Sequence, residues 1–297
     1  MIAGEHRMRA VSLALGSGLG MAARRRLFNA MAYSLLILAI IVICFPLAWM
    51  VSVSVRPNVE VMKMPPDWIP QVFTVESYGK ILTSPRYLRV FVNSMSIALT
   101  VTGLSLFLGA MAAYALARFR FIGYRSVMMF LITTQMFPLV LLCIPYFRIF
   151  VFLGLYDSLT ALIIAYLTFT LPFCILMLRS YFINIPKDIE EAATVDGCSR
   201  VGAIFRMLVP MSWPAFIGAG LYTFLLAWNE FLFAVVLIES WSKRVLTMAI
   251  YSLLAEFVTD WDTMMAFSVL ASLPLVVAFI FLQKYMVQGM TAGALTA

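Results

Sequence analysis

Six long apolar stretches alternate with shorter polar ones along the 297 residues. They are Leu27–Val55, Val90–Ala117, Ser126–Phe147, Ser158–Leu178, Met207–Asn229 and Thr263–Gln283. Each supplies the roughly 20 residues that an α-helix needs to cross the hydrocarbon core of a bilayer. The pattern therefore predicts an all-α membrane protein with six transmembrane helices. The third run contains Pro138 and Pro145, and the fourth contains Pro172. A proline inside a span frees a backbone carbonyl that a neighbour must satisfy, so these positions suggest kinked walls of a cavity or a gate.

One polar passage, Asn184 to Pro214, is too long for a plain connector of roughly two to eight residues. It sets Asp188, Glu190, Glu191 and Asp196 against Lys187, Arg200 and Arg206. Pro186 followed by acids reads as a helix start, with negative charge at the positive end of the dipole. Ile189, Ala192 and Ala193 then share one face. Gly197 supplies a left-handed turn, and Ser199 caps a second helix with Val201, Ile204, Phe205 and Leu208 on its apolar side. Pro210 ends that helix. The expectation is two short helices bent at a glycine, with a small-residue surface at Ala192 and Ala193 that another backbone can approach.

Composition narrows the class. A chain that is 63% hydrophobic and 12% charged leaves no room for a sizeable soluble domain once the spans are counted. The formal charge of +7 is a matter of placement. With the N-terminus in the cytoplasm, thirteen of the 21 lysines and arginines fall on the cytoplasmic side, and acids balance the eight outside. The basic balance is thus a topology signal and not a nucleic-acid footprint. Cys44, Cys143 and Cys174 lie in apolar runs and Cys198 on the cytoplasmic passage, so they read as small buried hydrophobes rather than a disulfide framework. The first run is too long for a signal peptide and lacks a cleavage site before Arg56, which makes it an uncleaved span. The chain divides into a cytoplasmic tail (1–26), a first helix (27–55), an external loop (56–89), a five-helix core (90–283) containing the passage 184–211, and a cytoplasmic tail (284–297). In the external loop, Pro57, Pro65, Pro66 and Pro70 imply a stiff, extended course, with Trp68 at the headgroup level.

Candidate chemistry is sparse. No phosphate-cradling Gly-x-x-x-x-Gly-Lys-Ser/Thr occurs, and the sole histidine, His6, lies in the tail. Neither catalytic nor metal-ligating residues are indicated, so enzyme readings are poor. Glu230, directly after the fifth run, is the one acid expected within a span, where a carboxylate is costly unless it is paired, hydrated or protonated. Trp228 and Asn229 beside it add an aromatic plate and an amide, the pairing that sugars require. Phe233, with Ser268 and Ser272 one turn apart on the last run, completes a candidate substrate path. A structural or gating hydrogen bond is the competing role for Glu230.

At the polar passage the sequence resembles a known family. Glu191-Ala192-Ala193, three residues, Gly197, nine residues and then Met207-Leu208-Val209-Pro210 resembles the EAA loop of bacterial ABC importer permeases, with Met207 and Val209 where the family has isoleucine and leucine. From Val90 to Ala294 the chain looks like the maltose-permease type. Ala112-Ala113-Tyr114-Ala115-Leu116-Ala117-Arg118-Phe119 and the ending Gly289-Met290-Thr291-Ala292-Gly293-Ala294 carry that likeness, although Leu295-Thr296-Ala297 replaces the usual basic terminus. The resemblance implies a type I ABC importer transmembrane fold in the bacterial inner membrane, with both termini cytoplasmic. It also implies a heterodimer with a sister sugar permease, a dimer of ATPase subunits that carries the ATP and Mg, and an extracytoplasmic solute-binding protein meeting the outer loops. No cofactor belongs to this chain, lipid surrounds it, and nucleic acid has no role. Glu190, Glu191, Ala192, Ala193, Asp196, Gly197 and Arg200 would meet the ATPase, and Trp228, Asn229 and Glu230 would lie near the sugar. Two rivals stay open: an assembly subunit whose sister holds the whole sugar site, and a secondary transporter, which would need inverted repeats and coupling-ion acids.

Overall fold

The computed structural model describes residues 21–195, 197–254 and 260–294. Among these residues the regular elements are all helices. Contacts separate two units, one ending at Ser52 and the other starting at Val53. The first holds nearly all of α1 (Met21–Ser54), whose described apolar side chains from Phe28 to Ala48 are exposed all round, as expected of a helix solvated by lipid. The second contains α2 (Asn58–Val61), α3 (Glu76–Thr83), α4 (Pro85–Arg118), α5 (Tyr124–Met136), α6 (Cys143–Phe152), α7 (Leu159–Asn184) and α8 (Asp188–Val195). It continues with α9 (Arg200–Met211), α10 (Trp213–Asn229), α11 (Leu232–Leu237), α12 (Leu246–Leu254) and α13 (Trp261–Ala294).

Among the described residues four helices are long and apolar enough to cross a membrane, or six if each of two bent pairs counts as one span. The bent pairs correct two expected runs. Ser126–Phe147 is not continuous: α5 stops at Met136, Phe137 is extended (φ −78°, ψ 129°), and α6 departs at 100°. Pro138 is the cause, because its ring disfavours helical backbone at the residue before it. In Met207–Asn229, residues up to Met211 belong to α9, and α10 starts after an 87° bend. Pro210 does not end α9. A π-helical turn over Ile204–Leu208 precedes it, one way of accommodating a residue that has no N–H to donate. At the other ends the helices run longer than the apolar runs: α4 already includes Arg86 and Arg89, and the backbone of α13 stays helical through 284–294, where a separate tail was expected.

The packing centre is α4 against α7 and α10. Small residues permit it. A Cβ built on Gly109 of α4 would meet Sγ of the fully buried Cys174 of α7 at 2.9 Å and its Cβ at 3.3 Å. Gly109→Ala is expected to cost about 1–3 kcal/mol through overpacking, lowering the melting temperature of the purified complex. Gly103→Ala, where a Cβ meets nothing within 4 Å, is the control. Equal melting of the two variants would contradict this packing. Pro172 sits inside α7 and cannot donate to the Thr168 carbonyl; Gln135 of α5 donates to the adjacent Phe169 carbonyl at 3.2 Å and ties α5 to α7 next to that gap.

At the end of the bundle where α4 begins, the loop 56–89 is folded rather than extended. Arg56, 2% exposed, donates to the carbonyls of Asp67 and Trp68, while the Glu60 carboxylate accepts from the N–H groups of Gln71 (2.8 Å) and Val72 (3.1 Å). Trp68 is exposed. Two buried charges therefore organise a segment whose prolines alone suggested stiffness. A second clasp closes over the α6–α7 turn. The N–H of Asp157, at φ 52°, donates to the Leu237 carbonyl, and its carboxylate accepts from the N–H groups of Glu239 and Ser240, the Ser240 hydroxyl and the Lys243 ammonium (2.9 Å). Burial pushes this carboxyl up, but the Ser240 and Lys243 hydrogen bonds outweigh it and hold Asp157 well below the usual carboxylate range. Because the unfolded chain takes up the proton more readily, the clasp contributes fully above the ordinary carboxylate range and is lost progressively as the pH falls from there toward the lower value of the folded chain. Asp157→Asn is expected to melt below the parent at neutral pH, with the gap narrowing below about pH 4. A gap that widens in acid would contradict the clasp.

Candidate functional site

The passage between α7 and α10 forms the two short helices that its punctuation predicts. The first turn of α8 holds Asp188, Glu190 and Glu191, carboxylates placed at the positive end of the helix. At its far end Gly197 takes φ 82° and the Cys198 N–H donates to the Ala193 carbonyl at 2.9 Å, the bond that closes a Schellman turn. Asp196 lies outside the described residues. Ser199 is extended, and its hydroxyl accepts from the Gly202 N–H at 3.1 Å, capping α9. Gly202 has a role that the sequence did not signal. A Cβ there would meet Cys198 Sγ at 2.9 Å and Ser199 Oγ at 3.1 Å, crowding the bend between the helices.

Two kinds of contact fasten this pair to the long helices. One is apolar. Ile204 and Leu208 of α9 enter a cluster with Ala110, Ala113 and Tyr114 of α4, Leu178 and Phe182 of α7, and Ala215 and Phe216 of α10. The Ile204 and Leu208 side chains are each worth about 1.5–3 kcal/mol when buried. Phe205, expected on the same apolar side, is partly exposed but stacks on Phe107 of α4 at 5.8 Å, whereas Val201 is exposed. The other contact is ionic. Arg118, the last residue of α4, donates Nε to Glu190 Oε1 at 2.5 Å and Nη2 to the Ile185 carbonyl at 3.0 Å. The two charged side chains are only 6% and 12% exposed, and the Tyr114 hydroxyl faces the same carboxylate. Arg200 of α9 lies over the Phe119 ring at 5.5 Å. A cavity of about 230 Å³ opens between Tyr114, Arg118, Lys187, Glu191 and Arg200.

The residues expected to meet an ATPase thus separate into two sets. Glu191, Ala192, Gly197 and Arg200 are exposed. Glu190 turns inward to Arg118, and Ala193 is 6% exposed against its own chain, so the small accessible surface is Ala192 beside Glu191 and not the Ala192–Ala193 pair.

The candidate sugar residues also have structural employment. Glu230, expected within the fifth span, is the residue that follows the last turn of α10. It stands at the break after α10, where Oε1 accepts from the Phe233 N–H (3.0 Å), Oε2 accepts from the Ala234 N–H (3.3 Å), and its own carbonyl accepts from the Thr247 hydroxyl (2.7 Å). Its carboxylate therefore caps α11. Trp228 is 3% exposed, donates Nε1 to the Ala271 carbonyl at 3.2 Å and stacks on Phe224, so it presents no open ring face. Phe233 is fully buried between Tyr146 and Phe169. The hydroxyls of Ser268 and Ser272 donate to carbonyls of their own helix, those of Met264 and Ser268. Asn229 is exposed, with Nδ2 donating to the Leu225 carbonyl. Among the described residues no cluster of His, Cys, Asp or Glu is arranged to hold a metal ion.

Comparisons with known proteins agree with this architecture. A family model described as binding-protein-dependent transport system inner membrane component matches residues 105–292. The chain is 38% identical over 253 residues to the sulfoquinovosyl glycerol transport system permease protein SmoH of Agrobacterium fabrum, covering 84% of this chain and 88% of that one. It is 35% identical over 267 residues to the trehalose/maltose transport system permease protein MalG of Thermococcus litoralis, covering 87% and 94%. Its fold matches a chain from the crystal structure of a bacterial ABC transporter involved in the import of the acidic polysaccharide alginate, with a TM-score of 0.74 at 22% identity over 88% of this chain and 96% of that one.

Proposed function

The chain belongs to the family of binding-protein-dependent transport system inner membrane components, and on that premise we propose how it works within a sugar importer. It is a permease subunit of an ATP-binding cassette importer, not an enzyme, and it operates with ATPase subunits and a solute-binding protein. A sister permease completes the translocation path, both termini lie in the cytoplasm, and partner ATPases bind ATP and Mg. Each ATPase grips one α8–α9 pair through Glu191, Ala192 and Arg200. The observation that carries this reading is the double fastening of the pair, ionic to the end of α4 and apolar to α4, α7 and α10. A force applied at Ala192 then moves three long helices together instead of bending a loop. Nucleotide and loaded binding protein must favour the outward-facing state over the inward-facing one, because equal affinity for both shifts nothing.

The test is reconstitution with the two permeases, the ATPase and the binding protein. The expected result is sugar uptake that requires ATP and stops when this chain is omitted. Uptake without the chain, or uptake driven by an ion gradient without ATP, would overturn the reading. A second reading has a specific observation in its favour: Trp228, Glu230, Phe233, Ser268 and Ser272 all spend their polar atoms or ring faces on this chain's own fold. On that reading most contacts to the sugar belong to the sister subunit.

A further inference from the structure

A cavity of about 670 Å³ opens at the end of α4 opposite Arg118, lined by Arg86, Tyr156, Glu239, Trp241, Arg244 and Tyr251 among others. The 34 residues of α4 separate the two ends by roughly 50 Å, so this cavity is remote from the α8–α9 pair. Its chemistry is unbalanced. The guanidinium carbons of Arg86 and Arg244 lie 3.4 Å and 4.1 Å from the centroid of the same Trp241 ring. Among the described residues neither arginine has a carboxylate within ion-pair distance; Glu239, the acid in the wall, faces the Tyr156 hydroxyl instead.

Two buried donors, Trp241 Nε1 and Arg244 Nε, find no acceptor among the described residues. Arg86 stands in the first turn of α4, where the helix dipole already repels a cation. Burial, together with the like charge of Arg86, pushes the Arg244 guanidinium below its ordinary value. The backbone beneath is nonetheless held firmly, since Asn93 Nδ2 donates to the carbonyls of both Ser242 and Arg244 at 3.0 Å. Like charges, a repelling dipole and orphaned N–H groups on a rigid frame destabilise the chain alone, and an oxyanion relieves all three.

We propose that this cavity seats one carboxylate, an aspartate or glutamate side chain of the solute-binding protein, when that protein docks. The inference rests on the importer reading above. Arg86 is exposed, so the seat reaches the surface that a docking protein meets first under the proposed orientation. A rim cation of this kind steers encounter and fixes register more than it holds a solute in transit.

The test uses the reconstituted complex and the solute-binding protein that stimulates its ATPase, with and without bound sugar. Arg86→Gln and Arg244→Gln are each expected to weaken docking about tenfold at low salt, mostly through the association rate, and to flatten its salt dependence. The loss should be equal for the loaded and the empty binding protein, and Arg86→Lys should retain most of the affinity. Because a glutamine variant can misassemble, a second measurement keeps the charge: the Arg86→Lys complex treated with a carbodiimide should form an amide to a carboxylate of the docked protein that the parent complex does not form. Unchanged affinity and salt slope in the glutamine variants, or no new amide, would overturn the proposal. So would a loss confined to the sugar-loaded form, which would assign the anion to the sugar. If the parent complex binds no solute-binding protein at all, the importer reading fails instead.

Discussion

Arg118→Met is expected to reduce sugar uptake at least tenfold while the chain still inserts and assembles. The substitution removes the guanidinium that pairs with Glu190, 12% exposed, and also the donor to the Ile185 carbonyl. Breaking a buried pair from one side costs roughly 3–5 kcal/mol, and the low end, about 3 kcal/mol, fits a carboxylate near an open cavity that can swing toward water. That energy is lost where α4 meets α8, so hydrogen exchange should accelerate across α8 and α9 and not in α7. Glu190→Met should have the same effect. The double variant should recover most of the stability, because two apolar side chains leave no orphaned charge. Strict additivity of the two substitutions would show that the pair does not fasten the helices.

Glu230→Ala carries the second large effect, and its direction separates a cap from a sugar ligand. Removing the carboxylate leaves the N–H groups of Phe233 and Ala234 without acceptors, and both residues are fully buried. Each orphaned donor costs about 1–3 kcal/mol, so α11 should fray and the thermal midpoint of the complex should fall. Glu230→Gln keeps one acceptor oxygen and should fall by roughly half as much. In both variants the surviving transporter should show an unchanged KM for sugar. A large rise in KM with unaltered melting would return Glu230 to the substrate path.

How far the sequence was legible varied with the range of the interactions. The bend in the passage was readable residue by residue, because Gly197, Cys198 and Ser199 act on backbone groups within five positions of themselves. The broken third run was half-readable: Pro138 marked the spot, but a proline specifies a break and not its 100° angle, which neighbouring helices set. The inward turn of Glu190 was not legible, since its partner lies 72 residues away and an acid in a first helical turn is satisfied by the dipole alone. The same holds for the Asn93 bonds to Ser242 and Arg244, across 149 and 151 residues. Gly109 gave no local signal either, because a glycine in an apolar run looks alike whether a cysteine or a lipid tail faces it. Glu230 was found as an unusual acid, yet its cap role depends on a helix break that its apolar neighbours concealed.

The most direct measurement is disulfide or bifunctional crosslinking from single cysteines in a background lacking Cys44, Cys143, Cys174 and Cys198. Ala192→Cys, exposed on α8, should crosslink to an ATPase subunit of the assembled complex, with a yield that changes between the nucleotide-free and ATP-bound states. Ala193→Cys, one position along and buried, should crosslink poorly. No crosslink from Ala192→Cys to any nucleotide-binding subunit, or labelling of that cysteine by an impermeant reagent from the extracytoplasmic side, would contradict the claim that α8 and α9 are where the motor takes hold.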